Sequence, residues 1–245
     1  MVGGAEQPCV VTRRFDAGSD SPNPCGGSVI SLLLVGTALA VPRPVVAMGD
    51  GLVAGGPTSE LSADPTVPGG WVSVLADCLE ERAPGQVTVI DRTDPGDTAA
   101  IARARVSEVH RLRPRMVVVG VGARELAHPD ADVDAFRRDL RLLLGQLRAE
   151  PAPRIMLVGM VPPTLAQIPE VSPGEQRQVD QRTADWNQVL ADVAHAEGGV
   201  RHLDLWTEWP RDPAARSRLT VDGWRLSDQG HARVAAAVCD AIVSW

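Results

Sequence analysis

Short apolar runs alternate with longer amphipathic segments along the chain from residue 44 onward. The runs are rich in β-branched side chains, which is typical of buried strands. They lie at residues 45–48, 87–90, 116–121, 155–160 and 200–205. The pattern therefore predicts five strands.

The segments between these runs repeat apolar residues at helical spacing. The clearest is residues 132–150, where apolar side chains alternate with Arg and Asp in the pattern of an amphipathic helix. Further helices are predicted at residues 71–83, 98–112, 176–198 and 227–245. Strict alternation of strands and helices predicts an α/β fold with a parallel sheet covered on both faces. In such folds, functional residues lie in the loops at the carboxyl ends of the strands.

The first part of the chain has a different composition. Residues 1–27 are rich in Gly, Ser and Pro, and we expect a disordered lead there. Residues 28–43 form an uncharged apolar segment until Arg43, with a small-x-small pattern at 38–40, as in the hydrophobic region of a signal peptide. The alternative is an apolar helix that leads into the domain, which we place at 44–245. We expect export, to the periplasm or the medium, rather than a cytoplasmic location.

Composition and charge exclude several classes of function. The 245-residue chain has a net charge of −7, and all 24 of its basic residues are Arg. This acidity argues against binding to nucleic acid, which requires a basic face. Without Lys, Schiff-base and P-loop phosphate chemistry are excluded. We also expect no stable membrane span, no metal and no cofactor.

The predicted loops at the carboxyl edge of the sheet carry short motifs in a definite order. They are GDGL, PGDT, GARE, VPP and DGWR, at residues 49–52, 95–98, 122–125, 161–163 and 222–225. In this order and spacing they resemble the sequence blocks of the SGNH (GDSL-type) hydrolases, a family of esterases, lipases, thioesterases and carbohydrate acetylesterases.

The resemblance covers roughly residues 44–243. It implies a flavodoxin-like three-layer α/β/α sandwich with a five-stranded parallel sheet. It also implies an acyl or carbohydrate ester as the substrate class.

The chain departs from the family at the residues that carry the chemistry. The family's nucleophilic Ser corresponds to Gly51, and its oxyanion-hole Asn corresponds to Arg124. The family's base is a His in an Asp-x-x-His block; here Asp222 is present, but the His position is Arg225. Of the four residues that name the family, Ser, Gly, Asn and His, only the oxyanion-hole glycine is retained, as Gly96.

These departures remove both partners of the proton transfer. Gly51 has no side chain, and a guanidinium such as that of Arg225 does not accept a proton at any working pH. We therefore expect a binding or scaffold pseudoenzyme. The alternative is an active ester hydrolase with a displaced nucleophile or base, for which Thr98 and His231 are the candidates. An Asp50–Asp222 carboxylate pair is a further, less favoured catalytic arrangement.

The substitutions also suggest a ligand site, because two of them introduce a fixed positive charge. A small carboxylate or phosphate is the predicted ligand of these arginines and of nearby backbone N–H groups. The residues of this predicted site are Asp50, Gly51, Gly96, Arg124 and Arg225. In the alternative interpretation, salt bridges close the site. The predicted pairs are Arg225 with Asp222 or Asp50, and Arg124 with Glu125 or Asp97.

The four cysteines are Cys9, Cys25, Cys78 and Cys239, and none has the spacing of a metal ligand. Cys78 and Cys239 fall in the first and last predicted helices, where a buried thiol is the simplest interpretation. In the fold that the resemblance implies, these two helices share one face of the sheet. In an exported chain, the two cysteines could therefore form a disulfide.

Overall fold

Five parallel strands form a single sheet at the centre of the fold. The computed structural model describes residues 43–50, 70–128, 130–164 and 171–245. The strands are β1 (Val45–Gly49), β2 (Val89–Thr93), β3 (Met116–Gly120), β4 (Arg154–Val158) and β5 (Val200–Leu203). Their order across the sheet is β2-β1-β3-β4-β5, the flavodoxin-like order, which confirms the predicted fold class. The predicted limits of the domain and of the apolar segment before it remain predictions.

Helices connect the strands and cover the sheet. Within the described residues they are α1 (Gly70–Arg82), α2 (Ala99–Ala104), α3 (Val106–Arg111), α4 (Ala123–Leu126), α5 (Val133–Leu147), α6 (Pro173–Glu197), α7 (Leu205–Glu208), α8 (Pro213–Arg216) and α9 (Asp228–Val243). The helices α1 and α9 pack on one face, and α2, α3, α5 and α6 pack on the other. Successive residues of β1 and β3 point to opposite faces, so both layers of the core are anchored on these central strands.

The second strand differs from its prediction. The apolar run at 87–90 predicts a strand there, but β2 spans 89–93 and includes Asp91, Arg92 and Thr93. Pairing with β1 sets this register, with Asp91 opposite Ala47. At this edge of the sheet every residue of β2 is only half-buried, so polar side chains are tolerated. Asp91 also accepts hydrogen bonds from the N–H and hydroxyl of Thr93, at 2.8 and 2.6 Å.

The helix predicted at 98–112 is divided in two at Arg105. Thr98 caps α2 by accepting the Ile101 N–H at 3.2 Å, and Arg105 lies between α2 and α3 with non-helical backbone angles. The guanidinium of Arg105 is directed back toward β2, where it donates to the Arg92 carbonyl at 2.9 Å and pairs with Asp97. These contacts hold the loop between β2 and α2 close to the sheet.

A disulfide joins the two helices that share one face of the sheet. Cys78 of α1 and Cys239 of α9 are bonded, with their Cα atoms 6.4 Å apart. This pairing agrees with the proximity expected of these helices. Within the described residues, none of the helices combines the length and the apolar character needed to cross a bilayer.

Candidate functional site

Asp50 lies directly after β1, at the carboxyl edge of the sheet, and its side chain is buried. Its carboxylate accepts the backbone N–H groups of Ala123 and Arg124, at 2.7 and 3.3 Å. Its own N–H donates to the Gly120 carbonyl at 2.8 Å. Asp50 is therefore a buried carboxyl group that fixes the start of α4 to the end of β1.

Gly49 permits this close approach of β1 and β3. Its φ is +126°, and a Cβ at this position would lie 1.6 Å from the Gly120 carbonyl oxygen. A side chain at residue 49 would therefore force the two strand ends apart, and with them the N–H groups that Asp50 binds.

Gly96 lies in the PGDT motif. It is the residue predicted to match the family's oxyanion-hole glycine. Its N–H donates to the carboxylate of Asp94 at 2.8 Å, within the Asp94-Pro95-Gly96 turn. The turn is attached to β1, because the Asp94 N–H donates to the Gly49 carbonyl at 2.8 Å. The Gly96 N–H, predicted to match the family's oxyanion donor, is thus already bonded to a carboxylate of the chain itself. An Asp two residues before a glycine N–H is a recognised turn signal, so this contact was visible in the sequence.

Arg124 lies at the family's Asn position, and its side chain is exposed. Neither predicted partner pairs with it. Glu125 instead accepts the Ala99 N–H at the start of α2, at 2.8 Å, and Asp97 pairs with Arg105. Among the described residues, no carboxylate forms an ion pair with Arg124, so this part of the closure hypothesis is wrong.

Arg225, which the sequence motif places at the family's base position, forms one of its predicted pairs, with Asp222. The Arg225 Nε lies 2.7 Å from the Asp222 carboxylate, which also accepts the N–H groups of Trp224 and Arg225. Partial burial raises the pKa of Asp222, but these hydrogen bonds outweigh it and hold the pKa below its usual range. The carboxylate therefore stays charged near neutral pH, and Arg225 stays paired with it.

Asp97 and Glu125 are two buried or half-buried carboxyl groups near these loops. Burial raises the pKa of Asp97 to about 6, although the Arg105 guanidinium opposes the change. Burial likewise raises the pKa of Glu125, against the hydrogen bond from Ala99. One oxygen of each carboxyl is buried without a partner in the described structure. The sequence pattern gave no signal for the role of Arg105, because its two contacts depend on how the chain folds back onto β2.

His231, the predicted candidate for a displaced base, contacts the first helix. His231 is buried on α9, and its Nδ1 accepts the Trp71 N–H at 3.1 Å, so it fixes the start of α1. Burial lowers the pKa of His231, and also that of His202 on β5. His231 is therefore a structural contact between the first and last helices.

Gly51, at the nucleophile position, lies outside the described residues. Of the predicted site residues, Asp50 and Arg124 are brought together through the Arg124 backbone, whereas Gly96 binds Asp94 and Arg225 binds Asp222. A cavity of about 380 Å³ opens beside these loops, with Thr98, Glu125, His128 and Phe136 in its lining. Within the described residues, no group of three or more His, Cys, Asp or Glu side chains is placed to hold a metal ion.

The strand order and the loops at the carboxyl edge define a flavodoxin-like α/β protein with its candidate site at that edge. Residues 47–233 match the GDSL-like Lipase/Acylhydrolase family, and the chain belongs to this family. No curated protein sequence matches the chain.

Solved structures share the fold. A lipase/acylhydrolase from Enterococcus faecalis is 23% identical, with a TM-score of 0.64 over 82% of this chain and 95% of that chain. An acetyl xylan esterase is 17% identical, with a TM-score of 0.64 over 81% of this chain and 99% of that chain. A GDSL-like lipase from Bacteroides thetaiotaomicron is 20% identical, with a TM-score of 0.60 over 84% of this chain and 93% of that chain.

Proposed function

We propose that this chain is a non-hydrolytic member of the GDSL-like family that acts by binding rather than by acyl transfer. The observation that carries the proposal is the ion pair between Arg225 and Asp222, at 2.7 Å, at the position of the family's base. A paired guanidinium cannot take a proton from a nucleophile, and Gly51 offers no nucleophile. The contact of Asp94 with the Gly96 N–H supports the same conclusion, because it fills the remaining oxyanion donor.

The direct test is hydrolysis of p-nitrophenyl acetate and butyrate, together with labelling by a serine-directed phosphonate probe. We expect no turnover above the buffer rate and no label, because loss of even one member of such a triad removes roughly four powers of ten in rate. Turnover that the probe abolishes would overturn the proposal.

Restoring the chemistry tests which contacts close the site. We expect the double variant Gly51→Ser with Arg225→His to label slowly. Adding Asp94→Ala, which frees the Gly96 N–H, should speed labelling at least about tenfold, since one oxyanion donor is worth roughly 10²–10³ in rate. Asp185→Ala, at an exposed position of α6, is the matched control and should add nothing. If neither combination labels, Arg124 or the loop geometry also blocks the site.

The ligand that we propose for this edge is a small carboxylate or phosphate held by Arg124. This side chain is exposed and has no carboxylate partner among the described residues, unlike Arg225. Titration calorimetry with citrate and phosphate should show binding that Arg124→Gln weakens and that Arg141→Gln, an exposed change on α5, leaves intact. Absence of binding at millimolar concentration would leave a scaffold role without a ligand.

One observation favours the alternative, an ester hydrolase with a displaced nucleophile. Thr98 and Glu125 line the same 380 Å³ cavity, and burial raises the pKa of Glu125 toward the range useful for a general base. Against this, the Thr98 hydroxyl oxygen already accepts the Ile101 N–H. Ester turnover that both Thr98→Val and Glu125→Gln abolish would establish this alternative.

Export remains part of the proposal. The disulfide between Cys78 and Cys239 supports it, since such bonds persist in oxidising compartments. Mass spectrometry of the protein from its native host, with and without reductant, would show both the mature amino terminus and the disulfide. An amino terminus upstream of residue 28 on a reduced protein would contradict export.

A further inference from the structure

A second cavity, of about 470 Å³, opens at the opposite, amino edge of the sheet. Its position is fixed by Met116 and Arg154, the first residues of β3 and β4, and by the last turns of α1 and α9. The catalytic loops of the GDSL-like family lie at the other end of the strands, so this cavity is separate from the candidate site. Its volume falls in the range of small-molecule sites.

The charged residues that line this cavity are all arginines. Three arginines line it, and no carboxylate is among its described lining residues, although the chain as a whole is acidic. Two of them have other contacts: Arg82 pairs with Asp240 at 2.7 Å, and Arg154 donates to the Trp245 carbonyl at 3.0 Å. Arg82 is therefore paired with a carboxylate in the last turn of α9, and Arg154 is bonded to a backbone oxygen just after that helix.

Arg115 differs from the other two arginines. It precedes β3, its side chain is exposed, and within the described residues that side chain has no hydrogen bond or ion pair. It is not in the last turn of a helix, so neutralising a helix end does not explain it. Its guanidinium is available to a carboxylate or phosphate, which it can bind with two parallel hydrogen bonds.

The floor of the cavity is apolar. Leu79, Met116 and Ile242 lie beneath it and are themselves buried, whereas half-buried Val87 offers apolar surface within it. Val243 lies at its margin and is 54% exposed. An anion alone would leave this surface in water, whereas a ligand with a hydrocarbon part would cover it.

We propose that this cavity binds an anionic amphiphile, a hydrocarbon chain ending in a carboxylate or phosphate, with Arg115 holding the anionic group. The hydrocarbon part covers Val87 and Val243. This site is independent of the anion site proposed at Arg124, because the two lie at opposite edges of the sheet.

Titration calorimetry of the full chain with decanoate and with decyl phosphate, both below their micellar concentrations, tests the site. We expect both to bind, and acetate and decyl maltoside, which carry only the head or only the chain, to bind at least about tenfold more weakly. Arg115→Gln should weaken decanoate about tenfold or more, the usual effect of losing one charge-assisted hydrogen bond. Val243→Glu, which places a carboxylate at the margin of the cavity without altering the core, should do the same.

Two matched variants complete the design. Arg141→Gln makes the same change on an exposed face of α5, and Arg124→Gln removes the proposed anion site at the other edge; both should bind decanoate as the unaltered chain does. Three results would each overturn the proposal: no binding of decanoate at millimolar concentration, binding unchanged in both Arg115→Gln and Val243→Glu, or loss of binding in Arg124→Gln alone. Circular dichroism of each variant verifies its fold.

Discussion

The two edges of the sheet differ in the sign of their charged residues and in how those residues are paired. At the carboxyl edge, Asp50, Asp94 and Glu125 each accept backbone N–H groups, so anions of the chain occupy the donors that the fold exposes there. At the amino edge, arginines line an open cavity, and Arg115 has no described partner. Within the described residues, carboxylates of the chain itself thus bind backbone donors at the carboxyl edge.

Helix direction explains this difference. In an α/β fold the helices run opposite to the strands, so helix amino ends with their free N–H groups lie at the carboxyl edge of the sheet. Carboxylates are stable there, and arginines are stable at the amino edge beside the helix carboxyl ends. An arginine that neutralises neither a helix end nor a carboxylate remains available to a ligand. Arg124 and Arg115 are two arginines of this kind, since neither side chain forms an ion pair within the described residues.

Removing the disulfide should cause the largest loss of unfolding free energy. The disulfide lies beneath the cavity at the amino edge. Cys78 is adjacent to Leu79 on α1, and Cys239 lies one turn before Ile242 on α9. The bond closes a loop with a sequence separation of 161 residues, so the double variant Cys78→Ser with Cys239→Ser should lose about 5 kcal/mol of unfolding free energy in the chain-entropy account. Urea unfolding followed by circular dichroism measures this.

Reductant provides the control for this prediction. The unaltered chain in reductant should unfold at nearly the urea concentration of the double variant, while the variant itself should not respond to reductant. Equal stability of oxidised and reduced protein would show that packing of α1 on α9 alone holds this face together.

A pair of glycines, one at each edge, gives the next largest effect. Gly49→Ala at the carboxyl edge combines a φ of +126° with a Cβ 1.6 Å from the Gly120 oxygen, and we expect a loss of about 4 kcal/mol in unfolding free energy. Gly85→Ala, in the loop after α1, has a φ of +67° but no atom within 4 Å of its Cβ, so about 1 kcal/mol is expected.

Urea unfolding of both glycine variants separates steric clash from backbone strain. Similar losses in the two would mean that β1 and β3 can separate at their carboxyl ends. The hydrogen bonds from Ala123 and Arg124 to Asp50 would then tolerate a shift of the strand ends that their short distances do not suggest.

Much of the fold was visible in the sequence, because β-branched runs and helical spacing follow directly from burial. The register of β2 was not visible, since pairing with β1 rather than local composition carries Asp91 into the strand. The start of α6 was visible but missed: Ser172 and Glu175 form a capping box, and the helix begins at Pro173, three residues before the predicted start. At the site, the Arg225–Asp222 pair could be foreseen from its spacing, whereas the pairing of Arg105 with Asp97 depends on tertiary structure.

Asp97 links the carboxyl edge to pH, with a smaller predicted effect than that of Gly49→Ala. Burial raises its pKa from 3.8 to about 6, so between these values the folded chain binds more protons than the unfolded chain. Its contribution to stability is therefore fully present below pH 3.8 and is lost as pH rises through 6. A shift of this size corresponds to roughly 2–3 kcal/mol.

Unfolding free energies measured at pH 4 and pH 7 isolate this contribution when the unaltered chain is compared with Asp97→Asn. Glu125 titrates in the same direction, but it is present in both proteins and cancels in the difference. We expect the unaltered chain to lose roughly 2 kcal/mol more than Asp97→Asn over this interval, and Asp185→Asn, at an exposed site, to follow the unaltered chain. Parallel pH profiles for all three would mean that Arg105 fully compensates the buried charge. The loop that carries Gly96 would then be held equally firmly at every pH in this range.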